Sequence, residues 1–292
     1  MLLSSTGIDS NNNRPEQQSS SSQATSFFGL KIPTDDSPFY FAKEQIPSQL
    51  VLLIETVLGV CVILALLLVY YSRVNKIRLI ASSKFYIVFV ILIGLGFIFL
   101  EITFIQKFLL LLGTPIMALT VILFSILLSS GIGAYMSGRI FSKNPYRAVI
   151  ISIPVLVIIL LSYYVLLQDI VRYSIVLQLH ERIALAFALL SPAGLLMGFQ
   201  FPSITRMTSI SSFSSSGSTK EHSSTNEDIT LLWAVNVIAS VIGTVLSTTS
   251  SMVIGFNGNL LIGIGLYLSA LTCAIAALKT SQQQAQDQQL VK

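Results

Sequence analysis

From Phe85 to Gln106 the chain reads FYIVFVILIGLGFIFLEITFIQ, and this stretch decides the fold. A helix rises about 1.5 Å per residue, so a stretch of this length crosses the roughly 30 Å hydrocarbon core of a bilayer. It is apolar on every side, with Glu101 its one charge. A helix in a soluble domain keeps a polar face for water, and this one has none. Outward from it the pattern repeats, at about 49–71, 116–136, 148–167, 182–206, 231–254 and 260–278. The expected fold class is all-α: a polytopic helical membrane bundle of about seven transmembrane helices with a disordered N-terminal tail.

The composition agrees. Of 292 residues, 53% are hydrophobic and 10% charged, and the mean hydropathy is +0.78. Soluble domains carry about 25% charged residues, because their surface faces water. The net charge of +4 is divided among loops, which suits anionic headgroups and gives no reason to expect nucleic-acid binding. Cys61 and Cys273 lie in separate apolar runs and read as buried thiols. His180 and His222 have no companion at metal-ligand spacing, so neither a metal nor another cofactor is expected.

The segments divide on composition. Residues 1–32 form a Ser/Asn/Gln-rich tail too poor in apolar groups to order itself. It contains no h-region, so no cleavable signal peptide is expected. Residues 33–48, which contain Pro33 and Pro38, read as an extended juxtamembrane segment, and 49–279 as the membrane domain. Within that domain a Ser/Thr-rich loop is expected over 208–230, and a loose tail over 280–292. Gly113-Thr114-Pro115 and Gly255-Phe256-Asn257-Gly258 read as tight turns between spans. Lys and Arg are richest in the loops at 73–84, 139–147 and 206–220, which places the C-terminus in the cytoplasm of a multi-pass cell-membrane protein.

Polar groups inside spans are costly and therefore informative. Glu101 follows Gly94 and Gly96 and is a candidate proton- or cation-binding group, against a structural role in helix packing. Glu55, nearer a span end, is a weaker candidate. Asn236 and Gln200 are amides that either hydrogen-bond between helices or contact a ligand. Small residues at four-residue spacing mark close helix contacts: Ser130, Ala134 and Gly138; Gly133 and Ser137; Gly194 and Gly198. No nucleotide-binding glycine loop or nucleophile–base set has a scaffold here, so catalytic residues are not assigned.

Several short motifs occur in a recognisable order. They are Gly94-Leu95-Gly96 through Glu101, Leu112-Gly113-Thr114-Pro115, Ser130-Gly131-Ile132-Gly133, Met197-Gly198-Phe199-Gln200-Phe201-Pro202 and Trp233-Ala234-Val235-Asn236. Together with Thr34-Asp35-Asp36-Ser37-Pro38-Phe39, this order resembles the membrane portion of the multi-pass spermidine-synthase-like proteins. Thr114 stands where that family usually has His, and Ser37 where it usually has Arg. The family's Rossmann-type aminopropyltransferase domain has no counterpart in this chain. The resemblance therefore implies a detached membrane half, non-catalytic alone, that anchors or partners a separately encoded soluble transferase. The alternative is a transporter of a small solute, such as a polyamine or another cation, with Glu101, Asn236 and Gln200 in a midplane cavity. The bilayer is the expected partner in either case, and a homo-oligomer stays open.

Overall fold

A computed structural model describes residues 83–290, apart from 175 and 216–220, together with scattered helical positions between 52 and 66. The expected disordered tail, the juxtamembrane segment and most of the expected first span lie outside the described residues. Five helices carry the fold: α1 (Ser83–Leu112), α2 (Pro115–Ile140), α3 (Pro145–Ser174), α4 (Leu179–Ser215) and α5 (Glu221–Leu290). All five are long and apolar enough to cross a membrane.

The count differs from the seven spans expected, for two reasons. The first expected span is largely undescribed, and the last two fall on one helical run, Ile229–Lys279. That run is broken at Gly255, whose φ of 76° and ψ of 176° are open essentially to glycine alone. The chain reverses there. Ser247 and Asn259 would stand about 18 Å apart on a straight helix, yet the Asn259 Nδ2 donates to the Ser247 Oγ at 2.8 Å. α5 is thus a helical hairpin with a short apex.

Other ends follow local chemistry. α1 stops at Gly113, in the left-handed region at φ 79°, with its N–H bonded to the Leu109 carbonyl at 2.9 Å. Thr114 then caps α2 in an extended conformation, and Pro115 opens it where no intrahelical N–H is required. At the start of α4 the Glu181 carboxylate accepts the Gln178 backbone N–H at 3.0 Å, which is half of a capping box. Pro154, Pro192 and Pro202 lie inside helices rather than ending them. The Tyr163 hydroxyl of α3 donates to the Leu189 carbonyl beside the Pro192 interruption. The Ser/Thr-rich stretch is helical as far as it is described: Thr208 to Ser215 prolong α4, and Glu221 to Thr230 open α5. The segment beyond Lys279 likewise continues as helix to Leu290.

α1 is the central element, and both limbs of α5 lie along it. A Cβ on Gly94 would meet Asn236 and Ala239, and one on Gly243 would meet Leu95 and Ile98, so the first limb runs parallel to α1. Gly96 faces Tyr267 and Gly263 faces Leu100, so the second limb runs antiparallel. α2 and α4 form a parallel pair in register: Gly133 lies on the Leu195 backbone, Gly198 on that of Ser130, and Gly138 on the Arg206 guanidinium. Phe104, Phe108 and Tyr163 pack edge-on inside the bundle.

Candidate functional site

Four helices enclose a cavity of about 580 Å³, which is within the usual range for a small-molecule site. Ile93, Gly94, Phe97 and Ile98 of α1 meet Met197, Gly198, Gln200, Phe201 and Pro202 of α4 around it, with Tyr267 of α5. Leu127, Ser130, Gly131 and Ala134 of α2 form one wall, and Trp233, Asn236 and Ser240 of α5 form the other. α2 and α5 scarcely touch each other. The exposed Leu127, at 62%, and Trp233, at 56%, stand on opposite walls, so the cavity is a cleft that opens sideways where lipid would lie.

The local reasons for the cleft are readable residue by residue. Gly94 leaves the space into which the Asn236 side chain leans: a Cβ there would stand 2.7 Å from its Oδ1. Gly198 lets α4 approach α2 at the backbone of Ser130. Pro202 has no N–H, which frees the Gly198 carbonyl from its usual i+4 partner. Gln200 is 1% exposed, and its Nε2 has no hydrogen-bond partner among the described residues. A buried donor left unmade costs about 1–3 kcal/mol, so this amide is a waiting contact.

Of the three expected substrate-binding residues, the structure brings Gln200 and Asn236 together in the cleft. Glu101 is not among the lining residues. It is half-buried on α1, about one turn beyond Phe97 and Ile98. The cleft thus presents amides and hydroxyls without a carboxylate. Glu55 falls on a described helical position and is exposed. Ser130 and Ala134 line the cleft, while Gly133, Ser137, Gly194, Gly198 and Gly138 lie on the α2–α4 seam. There the Ser137 and Ser203 hydroxyls share a hydrogen bond of 2.9 Å.

A second cavity, of about 350 Å³, adjoins the cleft and shares Phe201, Pro202 and Trp233 with it. Its other lining residues are Thr205, Arg206 and Ile229. Phe201 and Trp233 stand edge to face between the two spaces, with ring centroids 4.7 Å apart. The Arg206 guanidinium donates through Nη1 to the Ser137 carbonyl at 3.2 Å, which ties it to the end of α2.

Two polar groups that sequence reasoning passed over hold the hairpin against α1. Asn259 is fully buried; its Nδ2 donates to Thr103 at 2.9 Å and to Ser247, and its Oδ1 accepts from Ser250 at 2.6 Å. The Lys107 ammonium donates to Asn257 at the hairpin apex. Asparagine beside glycine in a turn motif was the one available signal, and it pointed to the turn rather than to a lock. Among the described residues no group of three His, Cys, Asp or Glu side chains is placed to hold a metal ion. Comparison of the chain with family models, curated proteins and solved structures finds no match, so the likeness to spermidine-synthase-like proteins rests on its short motifs alone.

Proposed function

We propose that this chain is a multi-pass membrane protein whose lateral cleft binds a small amphiphilic molecule carrying a hydrogen-bond acceptor. The observation that carries the reading is the Gln200 amide, buried and without a partner among the described residues, in a mostly apolar cavity that Asn236 also lines. In such a place one well-aimed hydrogen bond orients the ligand while the apolar walls hold it. The lining favours a neutral or anionic molecule over a polyamine, because a cation would find no carboxylate to pair with. The anchoring role, with a separate soluble transferase as partner, draws on the motif order alone, and the cleft favours binding over it.

Transport through the same cleft is the second reading. It is supported by Pro202, which removes one backbone hydrogen bond of α4 at the cleft, since transporters build their midplane sites where helix hydrogen bonding is incomplete. In this topology Gly255 makes two crossings of α5, giving six crossings between Ser83 and Lys279, with the expected first span additional.

The test uses Trp233, the chain's one tryptophan, which lies on the cleft wall. A nitroxide-labelled monoacylglycerol added to purified protein in detergent quenches Trp233 fluorescence saturably, and unlabelled monoacylglycerol reverses it. Gln200→Leu weakens this binding about fivefold, the worth of one hydrogen bond of about 1 kcal/mol. Linear, uncompetable quenching of folded protein would count against a site.

A further inference from the structure

The two adjoining cavities differ in chemistry, and their order along the helices is the useful fact. The cleft is apolar with amides, whereas the smaller space beside it is bounded by Arg206. Arg206 lies six residues beyond Gln200 on α4, about 9 Å along the axis. Its end of the bundle is basic. Arg139 stacks on Tyr135 there, its guanidinium carbon 5.2 Å from the ring centroid; Lys143 follows between α2 and α3, and Arg147 lies in the first turn of α3. The Arg206 guanidinium has five N–H donors and commits one to Ser137, so its charge is fixed in place with donors to spare.

Resting on the cleft reading above, we propose that the occupant is a bilayer phospholipid with an anionic headgroup. Its phosphate pairs with Arg206 in the smaller space, and its acyl chain passes the Phe201–Trp233 pair into the cleft. The Gln200 amide then meets the ester oxygens between them. Three observations converge on this occupant. The cleft opens sideways between α2 and α5, where lipid supplies the ligand without any aqueous path. The guanidinium lies at one end of an apolar space, matching a molecule charged at one end only. A buried donor, the Gln200 amide, lines the cleft six residues before Arg206 on the same helix.

The experiment measures quenching of Trp233 by lipids brominated on the acyl chain, in mixed micelles of the full chain. Brominated phosphatidylglycerol reaches half-quenching at about fivefold lower mole fraction than brominated phosphatidylcholine, the advantage of one arginine near a headgroup. Arg206→Gln removes that preference, Arg206→Lys retains most of it, and Arg139→Gln, outside both cavities, leaves it unchanged. Equal half-quenching by the two lipids in the wild-type protein overturns the proposal without any variant. Saturable quenching with no headgroup preference does so while leaving the cleft reading standing, whereas no saturable quenching by any amphiphile removes both. Displacement of brominated phosphatidylglycerol by glycerol phosphate alone identifies a free anion as the occupant and also overturns it.

Discussion

The glycines are the residues on which this bundle depends, and they do not all matter for the same reason. At Gly133 a side chain would run into the Leu195 backbone, and backbone cannot step aside. At Gly131, two residues away on the same helix, a Cβ would find open space. The pair makes a controlled comparison: Gly133→Val overpacks the α2–α4 seam at about 1–3 kcal/mol and lowers the thermal midpoint in detergent by about 3–8 °C. Gly131→Val stays within about 0.5 kcal/mol of wild type in the same melt, followed by circular dichroism. Equal melting of the two variants would show that the seam is looser than described. Gln200 and Asn236 drew attention from the sequence because an amide in an apolar run is conspicuous. That they share one cavity depends on Gly94, which lets Asn236 of α5 close on α1, and on Gly198, which seats α4 against α2.

At the scale of elements, the hairpin of α5 is the feature with the sharpest test. Gly255 adopts a backbone conformation that costs a residue with a Cβ about 1–3 kcal/mol. Gly255→Ala therefore destabilises by that amount, whereas Gly265→Ala, at an ordinary helical position in open space, is neutral or slightly stabilising. Thermal melts of both variants in the same detergent decide it, and equal midpoints would deny Gly255 its role in the reversal. The helices themselves were readable from sequence, because length and unbroken apolarity are enough to define a crossing. The turns at Gly113 and Gly255 were readable too, since each joins two apolar runs through residues that break a helix. The faces were not. A helix surrounded by lipid is apolar on both its buried and its outer side, so periodicity loses its meaning. For that reason Glu101 was grouped with the cleft amides although the lining stops one turn short of it. For the same reason Asn259, four residues past the bend, gave no sign that it would join α1 to both limbs of α5. The helical reading of the Ser/Thr-rich stretch was also out of reach, because Ser and Thr favour caps and turns, and nothing in the sequence says that a hydroxyl will turn back along the helix as Thr208 does to the Ile204 carbonyl.

Taken whole, the molecule has two unlike ends. Lys84, Arg139, Lys143, Arg147, Arg206 and Lys279 gather at the end where α1 begins and where α2, the span of α4 and the second limb of α5 finish. Lys107, Arg172 and Arg182 are at the other, where Arg182 bonds the Leu111 carbonyl and Lys107 meets the hairpin apex. If the positive-inside rule holds for this chain, the first end is the cytoplasmic one. The reversal at Gly255 returns α5 to the side on which it entered, which a single long crossing would not do. Cysteine labelling tests both statements at once, after Cys61 and Cys273 have been replaced by alanine. With Asn144→Cys or Ser281→Cys, a membrane-impermeant maleimide reacts only after the cells are opened, whereas Gln178→Cys reacts on intact cells. Labelling of positions 144 and 281 from opposite sides would mean an odd number of crossings between them. That outcome would open the hairpin into one tilted helix, move Asn259 away from Thr103 and Ser247, and leave the cleft without the wall that carries Trp233 and Asn236.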